Sequence, residues 1–553
     1  MRLTRGLRVA AALLALAALP VGAAEAPLAL AWRTPAGNEL LELDRSRVLA
    51  RGPLPAERQA PLGSLWKLFV YAYLVDRQQP DPGYQCLGHD RDEVYCCNPG
   101  ERIDRDQALV KSCGLYFDPA RLGVTPDDWS RYWQARSAPA WLQRLDALKP
   151  EARVPVADLL AQLQTLPAQG EARRVLLDVP LQARDAGVLA TLGARLRVKT
   201  WSWLADVDPQ ARQGGFAGWL NDGTPVWAGG PGTSQRVLGQ YAEVLERTLP
   251  VSWPRESGSC VEVRLFSRYP LREVSLAGQS TPVAPGALRG RYQVLFENGN
   301  RLDIESRGEL FLERRDDGLA LTAHLEREDY VARVLDREAA AEPVEAAKAL
   351  AVAVRTYLVQ NAVRRGECLV IDDSSSSQRV APRPASAASR TIAAWTADLV
   401  LAGSTVTYHS ERAGPDRLSW QQAVAEAKEG IRYDSILARA FPRASLSRWD
   451  KPVAACQALP NAEDWLRRQR REWRPVLDAE PGYAEIPQFS VCRLASGRPH
   501  VDRERRRIFV RGLFSLQDRL DLTHEYLHLA FEAHPNGQDE AYVERLARQL
   551  LLE

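Results

Sequence analysis

The chain has 553 residues, 45% of them hydrophobic and 26% charged. That is several times the usual single-domain length, so two to four packed domains are expected and extensive disorder is excluded. Lys+Arg 72 against Asp+Glu 70 leaves a net charge of +2, which excludes a nucleic-acid binder working by bulk electrostatics.

At the N-terminus, Arg2, Arg5 and Arg8 precede an apolar run from Val9 to Leu19, followed by Gly22, Ala23 and Ala24. A basic head, a short apolar stretch and a small-residue exit predict a signal peptide over residues 1–24, cleaved near Ala24 or Ala26. The run is short for a membrane span, and no later segment reaches the roughly 20 apolar residues a span needs. Cys86 is the cysteine nearest the cleavage site, which argues against a lipid anchor. The mature chain is therefore expected to be exported, periplasmic or secreted, with no membrane span. Outside the reducing cytoplasm the 8 cysteines become disulfide candidates. Cys456–Cys492 and Cys86 with Cys96 or Cys97 are the pairs expected; Cys113, Cys260 and Cys368 stay open.

Breaks fall at Thr248–Gly258, which carries Pro250 and Pro254, at Asp373–Ala388 with its serine run Ser374–Ser377, and at Ser445–Pro460. They divide the mature chain into 27–250, 258–445 and 455–553. Helical periodicity marks Ser64–Val75 and Pro343–Val363, while Cys260–Phe266, Arg291–Phe296 and Leu310–Leu325 alternate like strands. The class expected is multi-domain α+β.

In the first domain, Ser64-Leu65-Trp66-Lys67 opens an apolar helix. Residues three apart share a helix face, so a desolvated lysine there can take the serine proton; the plain alternative is a helix start with a solvated lysine. With Lys111-Ser112-Cys113-Gly114 and Lys199-Thr200-Trp201, the segment resembles the penicillin-binding transpeptidase and β-lactamase fold. The resemblance implies a site of Ser64, Lys67, Ser112, Lys199 and Thr200. Gly114 stands where that family has Asn, and Trp201 where it has Gly. The expectation is a sensing or structural domain, with the Trp201 ring lying in the path of an acyl substrate.

In the second domain, Glu338 precedes Glu342-Pro343-Val344-Glu345, and the helix ends in Val354-Arg355-Thr356-Tyr357; Tyr408-His409-Ser410 follows later. The pattern resembles the stage II sporulation protein D family, whose members bind or cleave peptidoglycan glycan strands. It implies Glu338 as a general acid at a glycosidic oxygen if burial raises its pKa. The alternative is a surface carboxylate beside Asp336, Glu342 and Glu345.

The last domain holds Thr523-His524-Glu525-Tyr526-Leu527-His528. His-Glu-x-x-His on a helix brings both imidazoles to one face, with Glu525 placed to take a proton from metal-bound water; two unrelated surface histidines are the alternative. Arg507–Leu513 reads as the sheet-edge strand along a zincin substrate cleft. Two third ligands compete for one zinc ion. His534 has the metzincin spacing, but Phe531 stands where that family needs Gly. Asp539-Glu540-Ala541-Tyr542-Val543-Glu544 resembles the thermolysin-like pattern, which implies Glu540 as ligand and Glu544 bracing a histidine.

Taken together, the chain resembles a bacterial secreted family encoded near bacterial α2-macroglobulins. The function expected is zinc-dependent peptide-bond hydrolysis in the envelope, acting on peptidoglycan or envelope peptides. An α2-macroglobulin-associated complex is the partner that the resemblance implies, and no nucleic acid is expected. The alternatives are a glycan-cleaving enzyme using Glu338 and a non-catalytic envelope-binding protein.

Overall fold

A computed structural model describes residues 26–552 except 91, 94–95, 98, 184–185, 205–211, 251–252, 254–259, 316–317, 375–377, 410, 413, 415–416, 451–456, 487–488, 495–497 and 504–505. The expected signal peptide and most of the first linker therefore lie outside the described residues. The architecture is mixed α/β in several domains. Among the described residues no helix is long and apolar enough to cross a membrane.

The N-terminal domain is built on a six-stranded antiparallel sheet, ordered Val48–Pro53, Gly37–Leu43, Leu28–Thr34, Pro225–Pro231, Gln213–Leu220 and Leu196–Trp203. The last of these, which carries Lys199, is an outer strand. Glycine lets its neighbour approach closely: a Cβ at Gly215 or Gly218 would overlap the Ala228 or Arg197 carbonyl. The helix Trp66–Asp76 is buried at every position from Lys67 to Leu74, as expected for a helix apolar all round and enclosed by its domain. Ser64 lies just ahead of it in the 3-10 turn Gly63–Leu65. Two disulfides, Cys86–Cys97 and Cys96–Cys113, tie the segment that carries Ser112.

The middle domain has a seven-stranded sheet in which Cys260–Leu265 lies between Gly318–Leu325 and Cys368–Asp372. The expected strand Leu310–Leu325 is two strands, Arg301–Arg315 and Gly318–Leu325, paired with each other. Cys260 and Cys368 face each other across the parallel pairing of their two strands and are bonded. The helices Arg327–Glu338 and Val344–Asn361 pack beside it. The boundary expected at 445 moves outward, because Ser445–Arg448 pairs with Leu399–Ala402 and so belongs to the middle domain. The C-terminal domain has a four-stranded sheet, ordered Gln457–Ala458, Ser490–Arg493, Arg507–Val510 and His500–Asp502, with helices Pro460–Leu477, Leu516–Ala530 and Glu540–Leu552. Cys456 lies outside the described residues, so its expected bond to Cys492 does too.

The first two domains share a core. Leu177, Leu181, Leu189 and Ala194 belong to the apolar cluster of the middle domain, and a Cβ at Gly193 would overlap the Trp395 ring. Through this contact runs a chain of buried charges. Arg355, fully buried, donates Nε to Glu328 at 2.9 Å and Nη1 to the Leu399 carbonyl at 2.8 Å. Arg327 pairs with both Glu328 and Asp398. Asp398 also accepts Arg197 Nη2 at 3.0 Å, from the outer strand of the N-terminal sheet. Burial opposes the charge on Asp398, but the guanidiniums of Arg327, Arg197 and Arg355 outweigh it and hold its carboxyl below the usual range.

Removing one member of such a pair strands the other in a low-dielectric site, at about 3–5 kcal/mol. Arg355→Met should lower stability by that order in urea unfolding followed by tryptophan fluorescence. Arg355→Met with Glu328→Gln should lose distinctly less. A single variant as stable as the wild type would show that the pair does not bear on stability.

Candidate functional site

The structure brings the first-domain residues together. Lys67 Nζ donates to Ser64 Oγ at 3.3 Å, to Ser112 Oγ at 3.2 Å and to the Ser112 carbonyl at 2.6 Å. Ser112 sits in the left-handed conformation (φ 64) at the end of the helix Arg105–Lys111, next to the bridged Cys113. Burial lowers the Lys67 ammonium from 10.5 to about 8, against the pull of Asp92. Lys199 is completely buried, donates to the Thr200 carbonyl at 3.0 Å, and is pushed down by burial and by the charge of Lys67. A Cβ at Gly114 would lie 3.7 Å from Lys67 Cε, so the glycine leaves space over the lysine.

Trp201 departs from expectation. Its ring is 2% exposed and stacked on Trp227 at 6.4 Å, not standing free across the cleft. Gly229 makes this possible, since a Cβ there would overlap both indoles. Ser64, Lys67, Ser112 and Thr200 open onto a cavity of about 1160 Å³.

Glu338 is held by Arg379. One oxygen accepts its main-chain N–H at 2.8 Å and Nε at 3.2 Å, and the other accepts Nη2 at 3.1 Å. The carboxylate is thus arranged as a hydrogen-bond acceptor from Arg379. Asp373 nearby is pushed up by burial, and the Tyr408 hydroxyl is likewise buried and raised.

In the C-terminal domain the helix Leu516–Ala530 is started by a capping box between Ser515 and Asp518. Leu520, Leu522, Tyr526, Leu527 and Leu529 fix it to the core. That orientation turns His524 and His528 toward the helix Glu540–Leu552. His528 Nδ1 donates to the Gly537 carbonyl at 2.9 Å, and His524 Nδ1 lies 3.3 Å from Glu544 Oε2. His528 thus places its proton on Nδ1 and leaves an Nε2 lone pair facing inward, where the His524 Nε2 also points. The two Nε2 atoms are 3.0 Å apart, and Glu540 oxygens lie 3.2 Å from His524 and 3.4 Å from His528. All three ligand atoms fall within 4.8 Å of one another.

Two imidazole nitrogens and a carboxylate converging this closely need a proton or a cation among them, and these residue types could hold a metal ion. Burial opposes charge on both histidines, yet the Glu540 hydrogen bonds and the surrounding carboxylates raise both. The same two hydrogen bonds hold Glu540 far below the usual carboxylate range. Burial pushes Glu525, 9% exposed beside them, upward.

His534 is set apart. It heads the turn Pro535–Gln538, its Nδ1 accepts the Asn536 N–H at 3.2 Å, and its ring covers Gly482. The expected edge strand is corrected: Arg507–Val510 is flanked on both sides, and His500–Asp502, folded back antiparallel onto it, forms the edge. Sequence reasoning missed Gly537, whose carbonyl orients His528, and Arg379. Neither carries a spacing signal.

Residues 88–210 and 416–536 match the family described as "Predicted secreted protein (DUF2300)", and residues 315–431 match the stage II sporulation protein family. The chain is 55% identical over 541 residues, 98% of each sequence, to the uncharacterized protein YfaQ of Escherichia coli (strain K12). It belongs to this family of predicted secreted proteins. Among solved structures, that of L2 complexed with relebactam is 17% identical over 41% of this chain and 92% of that one, at a TM-score of 0.26. The class A β-lactamase of the last common ancestor of Gram-negative bacteria is 12% identical over 41% and 95%, at 0.28.

The state of Lys67 can be read from stability. Its folded pKa, about 8, lies below the unfolded value of 10.5, so the unfolded chain binds the proton more tightly. Between those values stability should rise with pH, by roughly 3 kcal/mol in all. Unfolding of the wild type and of Lys67→Met, compared from pH 7 to pH 10.5, should shift in favour of the wild type by that amount; a constant difference would place the amine in water.

Proposed function

We propose that the protein is an exported zinc-dependent hydrolase of peptide bonds in the cell envelope, whose first two domains recognise or present peptidoglycan. The observation that carries this reading is the pair of inward Nε2 atoms 3.0 Å apart, closed by Glu540. Zinc held by His524, His528 and Glu540 would polarise a carbonyl and acidify a water molecule. Glu525, one residue from His524 and raised by burial, is suited to accept the water proton and pass it to the departing amine. The Gly537 carbonyl accepts from His528 Nδ1 and so leaves its Nε2 for the metal, and Glu544 stands 3.3 Å from His524 Nδ1. The outer edge of His500–Asp502 supports an extended peptide by main-chain pairing.

The match to the stage II sporulation protein family supports a wall-related setting. Glu338, engaged by Arg379, favours glycan binding over glycan cleavage in that domain. Peptidoglycan or an envelope peptide is the substrate this reading implies, in the periplasm or beyond it. The α2-macroglobulin-associated complex is a partner to be sought by co-purification.

Purified protein should hold about one zinc per chain by elemental analysis. His524→Ala or His528→Ala should abolish retention. Glu525→Gln should keep the metal and lose hydrolysis of envelope peptides. Glu540→Ala should weaken binding far more than His534→Ala. Protein that takes up no zinc after refolding in excess metal would end the peptidase reading and leave an envelope-binding protein in its place.

A further inference from the structure

The cavity over Ser64 is closed by all three domains. Ser445 lines it from the middle domain, and Arg493, Arg511 and Phe514 form its C-terminal wall, where Arg493 Nη1 reaches Glu101 at 3.0 Å. Trp201 also borders a second cavity, of about 760 Å³. Among the described residues it is the one residue common to both linings. A Cβ at Gly63 would lie 3.0 Å from the Ser202 carbonyl and 3.2 Å from Trp201 Cβ, so the turn ahead of Ser64 is packed directly against this strand.

The second cavity lies at one end of the six-stranded sheet. It is walled by the end of Pro225–Pro231, by Gln213 paired with Pro231, by Pro27 just ahead of Leu28–Thr34, and by the short ladder of Gln59–Pro61 with Arg153–Pro155. The lining is largely apolar, with Pro27, Pro55, Pro61 and Pro231 around Trp201 and Trp227. A Cβ at Gly229 would overlap both indoles, and one at Gly230 would lie 3.1 Å from Leu28 Cδ1, so part of the wall is main chain alone. Among the described lining residues three are arginines, Arg58, Arg153 and Arg212, and one is a carboxylate, Glu57. Arg58 is half-buried and its main chain is pinned: the N–H donates to the Pro55 carbonyl at 3.1 Å, and the carbonyl accepts the Val156 N–H at 2.9 Å. Arg153 Nη2 donates to the Gln59 carbonyl at 3.4 Å. Among the described residues none of the three arginines pairs with a carboxylate, Glu57 included.

Small-molecule sites of roughly 300–1,000 Å³ combine an apolar lining with a few placed polar groups, and this cavity has both parts. Proline and indole surfaces favour the burial of hydrocarbon. Guanidinium forks without a carboxylate of their own select acidic oxygens, of a carboxylate or a phosphate alike. We infer that the second cavity binds an amphiphilic anion, its acidic head among Arg58, Arg153 and Arg212 and its hydrocarbon body along the prolines and indoles. A fatty-acid carboxylate and a lipid phosphate share this chemistry. The indole floor includes Trp201, where the β-lactamase-like pattern has Gly, so it has no counterpart in that pattern. The inference rests on neither Ser64 nor the metal group.

Titration calorimetry of the full mature chain with dodecanoate and with dodecyl phosphate, each below its micelle concentration, tests this. At least one should bind, at about one molecule per chain. Binding of both identifies any acidic head as sufficient, and binding of one alone names the head. Dodecyltrimethylammonium, with the same tail and the opposite charge, should bind at least about ten-fold more weakly, and inorganic phosphate should not displace the amphiphile. Arg58→Gln combined with Arg212→Gln should weaken binding by about ten-fold or more, as loss of charge-assisted hydrogen bonds requires. Gln59→Trp, placed at an exposed position that lines the cavity, should fill the space and abolish binding. Unchanged thermal unfolding without ligand shows that each variant is folded. No binding of either anion, equal binding of the cationic surfactant, full displacement by inorganic phosphate, or binding unmoved by the arginine and Gln59 variants would overturn the inference.

Discussion

The arrangement depends first on the buried charges that run from Arg355 through Glu328, Arg327 and Asp398 to Arg197. Burying ions is costly, and the cost is met only while every partner stays in place. This makes the relation of the first two domains a fixed geometry instead of a tethered pair. Arg197 is two residues from Lys199 on the same strand, so the strand that borders the Ser64 cavity is positioned by a carboxylate of the middle domain. The Asn221 side chain, reaching the Ala394 carbonyl at 2.7 Å, and the Tyr433 hydroxyl on the Leu189 carbonyl at 3.0 Å hold the same junction.

The two chemical centres are built by opposite means. At His524 and His528, carboxylates gather around imidazoles, raising the histidines and lowering Glu540. At Ser64, burial strips an amine of water and lowers it. Each centre is oriented by something outside the reactive set. A turn carbonyl at Gly537 orients one, and a disulfide beside Ser112 fixes the other. The family match in two stretches, 88–210 and 416–536, covers Ser112 and Arg493, which face one cavity from different ends of the chain.

What the sequence allowed to be read was local. His524 and His528 share a helix face because of their spacing, and Ser64 and Lys67 meet because three residues separate them. The choice between Glu540 and His534 needed the turn after Phe531, which swings His534 against Gly482 and carries Glu540 back toward the rings. The direction of the Trp201 ring was set by the missing Cβ of a distant glycine, Gly229. Glu338 and Arg379 are 41 residues apart, Glu101 and Arg493 392; no periodicity connects such pairs. The same holds for the strand Ser445–Arg448, at the start of the expected break, which returns to pair with Leu399–Ala402.

The wall formed by Arg493 and Phe514 has a consequence for timing. A chain delivered from its N-terminus presents Ser64, Lys67 and Ser112 long before Arg493, Arg511 and Phe514, which line the same cavity. Until those residues arrive, the cavity lacks its C-terminal wall and Glu101 lacks its pairing with Arg493. The cavity is thus enclosed last although its serines emerge first, and a truncated chain would keep the residues that make the Ser64–Lys67–Ser112 contacts while lacking the wall that encloses them.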